Sequence, residues 1–158
     1  MGDDFAVVVT REAGAWEAAV LPEKFVSDLD ALVAATRQQI SEGGVIALVN
    51  VADEFFVALR VLGTETRVLL SDVTAAVAWD LAAQVVRFLG IEPPGDDEIE
   101  DVWPVGDLSI FDDLGIDEME LGAVLSDLDA YADEMLLMIA RRAGFGDAYE
   151  RVVESSVH

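Results

Sequence analysis

The sequence predicts an α+β fold, with a five-stranded antiparallel sheet, two packed helices and a C-terminal lobe of short helices. Three observations support this prediction. Short β-branched and aromatic runs separated by turns fill much of the first seventy residues, two stretches with helical apolar spacing accompany them, and later apolar segments alternate with caps and glycine stops. Because 53% of the 158 residues are apolar, the chain can bury a core, and residues 1–158 are predicted to form one domain.

The chain begins with a predicted β-hairpin. Phe5–Thr10 is a β-branched and aromatic run, residues 11–14 make a turn, and Ala15–Leu21 returns with partial apolar alternation. Pro22 ends the second strand, since proline cannot donate to a sheet ladder.

A first helix is predicted after the hairpin. Ser27 is a suitable N-cap, and Gly43-Gly44 ends the segment. Apolar spacings of three and four give the residues expected to be buried: Leu29, Leu32, Val33, Thr36 and Ile40.

Three further strands are predicted at Val45–Ala52, Phe55–Leu62 and Arg67–Ser71. The first of these is nearly all apolar, as expected for a strand covered on both faces. Counted along the chain, the predicted strand order is 2-1-5-4-3. This order of elements is similar to that of the longin, profilin and roadblock group, a likeness of fold that does not fix function.

A second helix is predicted at Val73–Leu89. Its polar stripe consists of Asp80, Gln84 and Arg87, and most of the remaining circumference is apolar. These polar residues argue against a membrane span. Burial on more than one side is therefore expected, with the C-terminal lobe packed on the face that the sheet leaves free.

Residues 1–91 thus form a predicted sheet lobe, 92–102 an acidic Pro/Gly linker, and 103–158 a helical lobe packed on the first. Short helices are expected near Leu108–Leu114, Glu118–Leu125, Glu134–Ala143 and Ala148–Val153. The expected glycine stops and N-caps are Gly115, Gly144, Asp117, Asp133 and Asp147.

Three motifs in the C-terminal lobe carry a family resemblance. They are WPxGD-L at 103–108, DLG at 113–115 and GFGDxYE at 144–150. With these motifs the chain resembles the bacterial family of tRNA adenosine deaminase-associated proteins, over most of its length from Phe5 to Val152. The resemblance implies a tRNA adenosine deaminase as partner and brings no catalytic residues. One departure is Ala132, where the resemblance leads us to expect a proline near a helix start.

The charge distribution argues against direct nucleic-acid binding. The net charge is −23, and residues 88–140 contain 16 Asp or Glu and no Lys or Arg. Binding to tRNA requires basic side chains that displace counterions, so this surface should repel it. Solubility is the simplest role of the charge, and a specific basic partner is the alternative. Without cysteine or a basic N-terminal leader, a soluble cytoplasmic protein is expected.

The sequence offers no recognisable catalytic centre. Zinc deaminases use His and Cys ligands beside a Glu, whereas this chain has no Cys and a single His, His158. Acid pairs such as Asp112-Asp113 could hold Mg²⁺ or Ca²⁺, but solvated caps and faces explain them better. The glycine pair in GFGD fits a helix stop better than a phosphate site. We therefore predict no enzyme activity, metal or cofactor.

The functional prediction is a non-catalytic accessory protein that binds a tRNA adenosine deaminase, with no membrane and no direct nucleic-acid contact. The alternative is a dimeric regulatory platform unrelated to tRNA modification, so a homodimer stays open. For the aromatic residues the simpler role is packing, above all for Trp103 as an anchor of the linker. The candidate partner-binding residues are Trp103, Pro104, Asp107, Asp112, Asp113, Phe145, Asp147 and Tyr149.

Overall fold

The computed structural model describes residues 4–91, 104–127 and 129–157, and of residues 155–157 the backbone only. Linker 92–102 and Trp103 lie outside the described residues. The described residues form one sheet, with strands β1 Phe5–Glu12, β2 Ala15–Leu21, β3 Val45–Val51, β4 Phe55–Leu62, β5 Glu65–Leu70 and β6 Val105–Gly106.

The sheet is antiparallel throughout, with the order β2-β1-β3-β4-β5-β6. The α+β class with an antiparallel sheet is therefore confirmed, but five strands in the order 2-1-5-4-3 is wrong, and the likeness to the longin, profilin and roadblock group is not confirmed. The reason lies in β3, whose seven residues are all buried. Such a strand must lie in the middle of the sheet, whereas β5 begins with exposed Glu65 and lies near an edge.

The sixth strand depends on one glycine. Val105 and Gly106 pair with Leu70 and Leu69. Gly106 has a φ of 111°, and a Cβ there would lie 2.2 Å from the Val68 carbonyl oxygen. Glycine is required because the chain approaches β5 too closely for any side chain.

Two helices cover one face of the sheet. They are α1 Leu29–Arg37 and α2 Asp80–Phe88. Gln84 joins them, since its Oε1 accepts from the Leu29 N–H at 2.8 Å and its Nε2 donates to the Ser27 carbonyl at 2.8 Å. The polar stripe of the second helix is thus partly a structural link.

The C-terminal helices cover the opposite face. They are α3 Glu118–Leu125, α4 Ala132–Ala143 and α5 Gly146–Val157. Leu136, Ile139 and Tyr149 belong to one core with Ile46 and Phe56 of the sheet. The expectation that this lobe packs on the second helix is wrong, because alternate strand residues are apolar on both faces and each face needs its own cover. The division into lobes and linker stays a prediction.

Several helix boundaries differ from the predicted ones. Asp28, not Ser27, caps α1 and accepts from the Ala31 N–H at 3.1 Å. Ile40 lies beyond the helix and is 94% exposed. The segment predicted as one helix at Val73–Leu89 divides into a 3-10 turn and α2, because the chain leaves helical geometry at Trp79.

In the C-terminal lobe α3 matches its predicted bounds, and Asp117 caps it by accepting from the Glu120 N–H at 2.8 Å. Gly115 and Gly144 end their segments in the left-handed region. Asp133 and Asp147 are not caps but lie in the first turns of α4 and α5. The chain passes from Tyr131 into α4 at Ala132 without the expected proline. No helix in the described part of the chain is long and apolar enough to cross a bilayer.

Candidate partner-binding surface

A cleft opens at the end of the sheet where β3 turns into β4. Ala52 and Asp53 of this turn have φ values of 53° and 57°, a tight left-handed conformation. The Ala132 N–H at the start of α4 donates to the Asp53 carbonyl at 3.2 Å and fastens the turn to the C-terminal lobe. The cleft has a volume of about 200 Å³ and is lined by Asp53, Glu54, Ser71, Asp72, Leu125, Asp127, Ala130, Tyr131, Ala132 and Met135. We call it the acidic cleft.

Carboxylates dominate the acidic cleft, and no basic residue is among the residues that line it. Three of the carboxylates are held by local hydrogen bonds. Asp53 accepts from Asn50 Nδ2 at 2.7 Å, Asp72 from the Thr74 N–H at 2.9 Å, and Asp127 from the Asp129 N–H at 3.1 Å. Their positions are therefore fixed before any partner arrives.

The negative charge near the acidic cleft affects the pKa of a neighbouring carboxyl group. Burial raises the pKa of Asp133 above its ordinary value, and the negative charges of Asp53 and Glu134 also raise it. Burial raises the pKa of Tyr149 too, with smaller contributions from Asp133 and Asp53. A cation at the cleft would relieve this repulsion.

The cleft also has an aromatic side chain on its rim. Tyr131 lines the cleft and is 66% exposed, while Met135 is partly buried beside it. An exposed tyrosine next to carboxylates suits a guanidinium, which can pair with the acid and lie over the ring. Within residues 4–91, 104–127 and 129–157, no three acidic side chains converge as a metal site would require. The geometry fits a basic side chain.

Several basic residues lie at the opposite end of the sheet. Arg11 is near the end of β1 and lies over the Trp16 ring, 4.8 Å from its centroid. Arg37 donates to Thr66 at 2.8 Å, and Arg67 pairs with Glu65 at 3.3 Å. These basic residues lie apart from the carboxylates of the acidic cleft.

The candidate residues from the sequence lie mostly away from the acidic cleft. Asp113 forms a bidentate ion pair with Arg60 of β4, whose side chain is 1% exposed. The guanidinium beside it holds the pKa of Asp113 below its ordinary value. Asp107 pairs with Arg67 at 3.4 Å and accepts from the Ser109 N–H at 2.9 Å. Both carboxylates therefore fasten the C-terminal lobe to the sheet.

The aromatic candidates belong to the core. Phe145 is 1% exposed and its ring centroid lies 5.4 Å from that of Trp16. Tyr149 is 2% exposed and lies 6.3 Å from Phe5 between ring centroids. Neither side chain is on the surface that a partner reaches in this conformation.

The remaining candidates are more accessible. Asp112 and Asp147 are exposed, and Pro104 is half-buried. Trp103 lies outside the described residues. Whether any of these residues contacts a partner stays a prediction.

The three motifs of the C-terminal lobe therefore have structural roles in this fold. Gly106 makes the close approach to β5, Asp113 holds Arg60, and Phe145 fills the core. A Cβ at Gly146 would lie 2.9 Å from Arg141 Cγ and 3.1 Å from its Cα, so glycine also fits tightly there.

The sequence reasoning missed the acidic cleft. Asp53 and Glu54 belong to the β3–β4 turn and Asp72 caps the 3-10 turn after β5, so each of these acids also has a local role. The signal that could have found them is their position, because acids in loops at the ends of buried strands meet at one edge of a sheet. Tyr131 gave no such signal, since its exposure depends on how α4 packs.

Comparison with known proteins identifies the same family as the three motifs of the C-terminal lobe. The sequence profile of the family described as Rv3753c-like tRNA adenosine deaminase-associated protein matches residues 4–146. A relative from Mycobacterium tuberculosis (strain ATCC 25618 / H37Rv), Protein Rv3753c, is 42% identical over 153 residues, which covers 96% of this chain and 88% of the relative. No solved structure gives a significant match. The chain belongs to the Rv3753c-like tRNA adenosine deaminase-associated protein family.

Proposed function

We propose that this protein is a non-catalytic accessory protein that binds a tRNA adenosine deaminase through the acidic cleft. The observation that carries the proposal is a group of four carboxylates, three of them held by local hydrogen bonds and none with a lining base, in a member of a deaminase-associated family. A deaminase that acts on tRNA in the cytoplasm must present a basic surface to its substrate. Opposite fields steer two such proteins together and orient them.

The proposal extends to the chemistry of the contact. An arginine of the partner would enter between Glu54 and Asp127 and lie against Tyr131. Because Asp127 is already held by the Asp129 N–H, binding needs little further ordering of that side chain. The partner would thus use part of the surface with which it binds tRNA, and tRNA would compete with this protein.

The first test is physical association. The tagged full-length protein is captured from its native cell, and the deaminase is identified by mass spectrometry. Binding of the two purified proteins is then measured by calorimetry. Affinity should fall steeply between about 50 and 150 mM salt, and added tRNA should displace the protein. An affinity that changes with neither salt nor added tRNA would contradict the proposed contact through the acidic cleft, although not the association itself.

The second test locates the contact. Glu54→Lys places a positive charge in the cleft, at an exposed side chain. Glu12→Lys makes the same charge change at an exposed position at the other end of the sheet. We expect Glu54→Lys to weaken binding about tenfold or more and Glu12→Lys to change it little. Equal effects of the two substitutions would refute the cleft as the binding surface.

The second candidate function is a dimeric regulatory platform. It is favoured by a separate feature, the edge of β2 with which no strand of the described residues pairs, and it predicts self-association in the absence of any deaminase. A dimer of the isolated protein in sedimentation, together with no deaminase captured from the native cell, would favour this function over the first.

A further inference from the structure

Strand β2 forms one edge of the sheet. It pairs with β1 over seven consecutive residue pairs, without a bulge, and no strand of the described residues lies on its other side. Helix α5 packs over one face of this edge, where Trp16 contacts Phe145. The helices α1 and α2 leave much of the other face open, so Glu17 and Ala19 are exposed.

The hairpin geometry shows which backbone groups of β2 point outward. Ala13 and Gly14 both have positive φ, which makes the turn a two-residue one flanked by a hydrogen-bonded pair, Glu12 and Ala15. Hydrogen-bonded pairs alternate along an antiparallel ladder, so the N–H and C=O groups of Trp16, Ala18 and Val20 point away from β1.

Contacts on the other side of β1 agree with this alternation. The carbonyl of Arg11, the residue opposite Trp16, accepts a hydrogen bond from the Glu42 N–H at 2.9 Å on the side away from β2. Among the hydrogen bonds of residues 4–91, 104–127 and 129–157, none engages the outward N–H groups of β2.

This edge lacks the usual protection against pairing. Natural edge strands carry lysine, an internal proline or a bulge, whereas residues 13–22 contain a single charge, Glu17, and a proline only at the end. On the same edge, the apolar side chain of Val20 is 43% exposed. In a protein of net charge −23, this nearly uncharged edge is also a surface on which a second copy meets little repulsion.

We propose that β2 pairs antiparallel with β2 of a second copy, about a twofold axis at Ala18, to give one continuous sheet. This register uses the outward groups of Trp16, Ala18 and Val20 on both strands. It places Trp16 opposite Val20 of the second copy, an aromatic and β-branched pair that is favourable across strands. Glu17 lies opposite Ala19, so the two glutamates are diagonal to each other.

Neighbouring registers are less favourable. A twofold axis at Glu17 places the two glutamates directly opposite each other, which is destabilising. An axis at Ala19 brings Trp16 opposite Pro22, which cannot donate a hydrogen bond. The charge pattern therefore selects the register centred on Ala18. The inference does not depend on binding to a deaminase, since the acidic cleft is not part of this edge.

The test uses the full chain alone, by sedimentation equilibrium up to about 0.5 mM protein in about 0.15 M salt, which screens the net charge. The unmodified protein should form a dimer. Ala19→Glu places a like charge opposite Glu17 of the other copy, and Ala19→Lys places an opposite charge there. Because the pair occurs twice in the dimer, the dissociation constant should rise about tenfold with Glu and fall about tenfold with Lys.

Two controls make the test specific. Glu17→Lys combined with Ala19→Glu restores an opposite pair and should restore the dimer. Ala78→Glu and Ala78→Lys make the same charge changes at an exposed position beside α2 and should have little effect. Thermal melting shows that each variant is folded. A monomer at every concentration, or equal effects at positions 19 and 78, would overturn the proposal.

Discussion

The ion pair between Arg60 and Asp113 gives the sharpest stability prediction. Arg60 is buried and donates to Asp113 through both terminal nitrogens, with Nη2 to Oδ2 at 2.8 Å. It also donates to the carbonyls of Ile110 at 2.9 Å and Gly43 at 2.8 Å. Asp113→Asn keeps the shape but removes the charge and replaces one acceptor by a donor, so the guanidinium loses its only nearby anionic partner among the described residues.

The expected loss follows from the burial of the two partners. Removing one member of a fully buried pair costs about 3–5 kcal/mol. The Asp113 side chain is 52% exposed, so solvent screens part of the interaction. Two carbonyls still hold the guanidinium. We therefore expect Asp113→Asn to lower the free energy of unfolding by about 2 kcal/mol, which lowers the Tm by about 4–8 °C in a chain of this size.

The stability lost with Asp113→Asn should depend on pH and should be smaller in acid. Because the folded state lowers the pKa of Asp113, chiefly through the hydrogen bonds from Arg60, its contribution is present above the unfolded pKa. That contribution is lost as the pH falls below about 4, through the lowered folded pKa. The difference in Tm between the unmodified protein and the Asn variant should therefore shrink in acid.

Thermal and urea unfolding from neutral pH to below about pH 4 measure this effect. The matched control is Asp112→Asn, which removes a neighbouring exposed carboxylate and should change stability by less than about 0.5 kcal/mol. Equal melting of the two variants, or a difference independent of pH, would refute the role assigned to Asp113.

Three further predictions follow from burial and charge. Phe145→Ala should lower the free energy of unfolding by about 3–5 kcal/mol, while Met119→Ala, at a side chain 84% exposed, should leave the Tm nearly unchanged. Tyr149→Phe should leave the free energy of unfolding unchanged or raise it by up to about 1 kcal/mol, because the buried hydroxyl has no hydrogen-bond partner in the described residues. A clear loss of stability in urea unfolding would contradict this prediction. Finally, about 10 µM protein should produce no gel shift of tRNA at physiological salt, and a persistent shift would contradict the charge argument.

Local patterns in the sequence identified most elements of the fold. The hairpin of β1 and β2, the strand β4 and the helix α3 were found close to their observed positions. Each depends on nearby residues, because alternation, capping and turn chemistry act over a few positions. The family was also identified from motifs near the C-terminus, and the structure gives those motifs roles in packing, such as that of Phe145.

The candidate site was harder to predict because it depends on non-local contacts. Asp113 was predicted as a partner contact in an acidic part of the C-terminal lobe, but the sequence cannot indicate that Arg60, 53 positions earlier, lies beside it. The acidic cleft likewise combines Glu54 with Tyr131, which only the packing of α4 against the β3–β4 turn brings together.

The sequence by itself therefore determined most of the elements, their polarity and the excess of negative charge. Tertiary structure alone decided that β3 lies beside β1, that the C-terminal helices cover the second face, and that carboxylates meet at one end. The physical reason is that apolar strands such as β3 and β4 match several neighbours equally well in local pattern. Only the simultaneous burial of both sheet faces selects one arrangement.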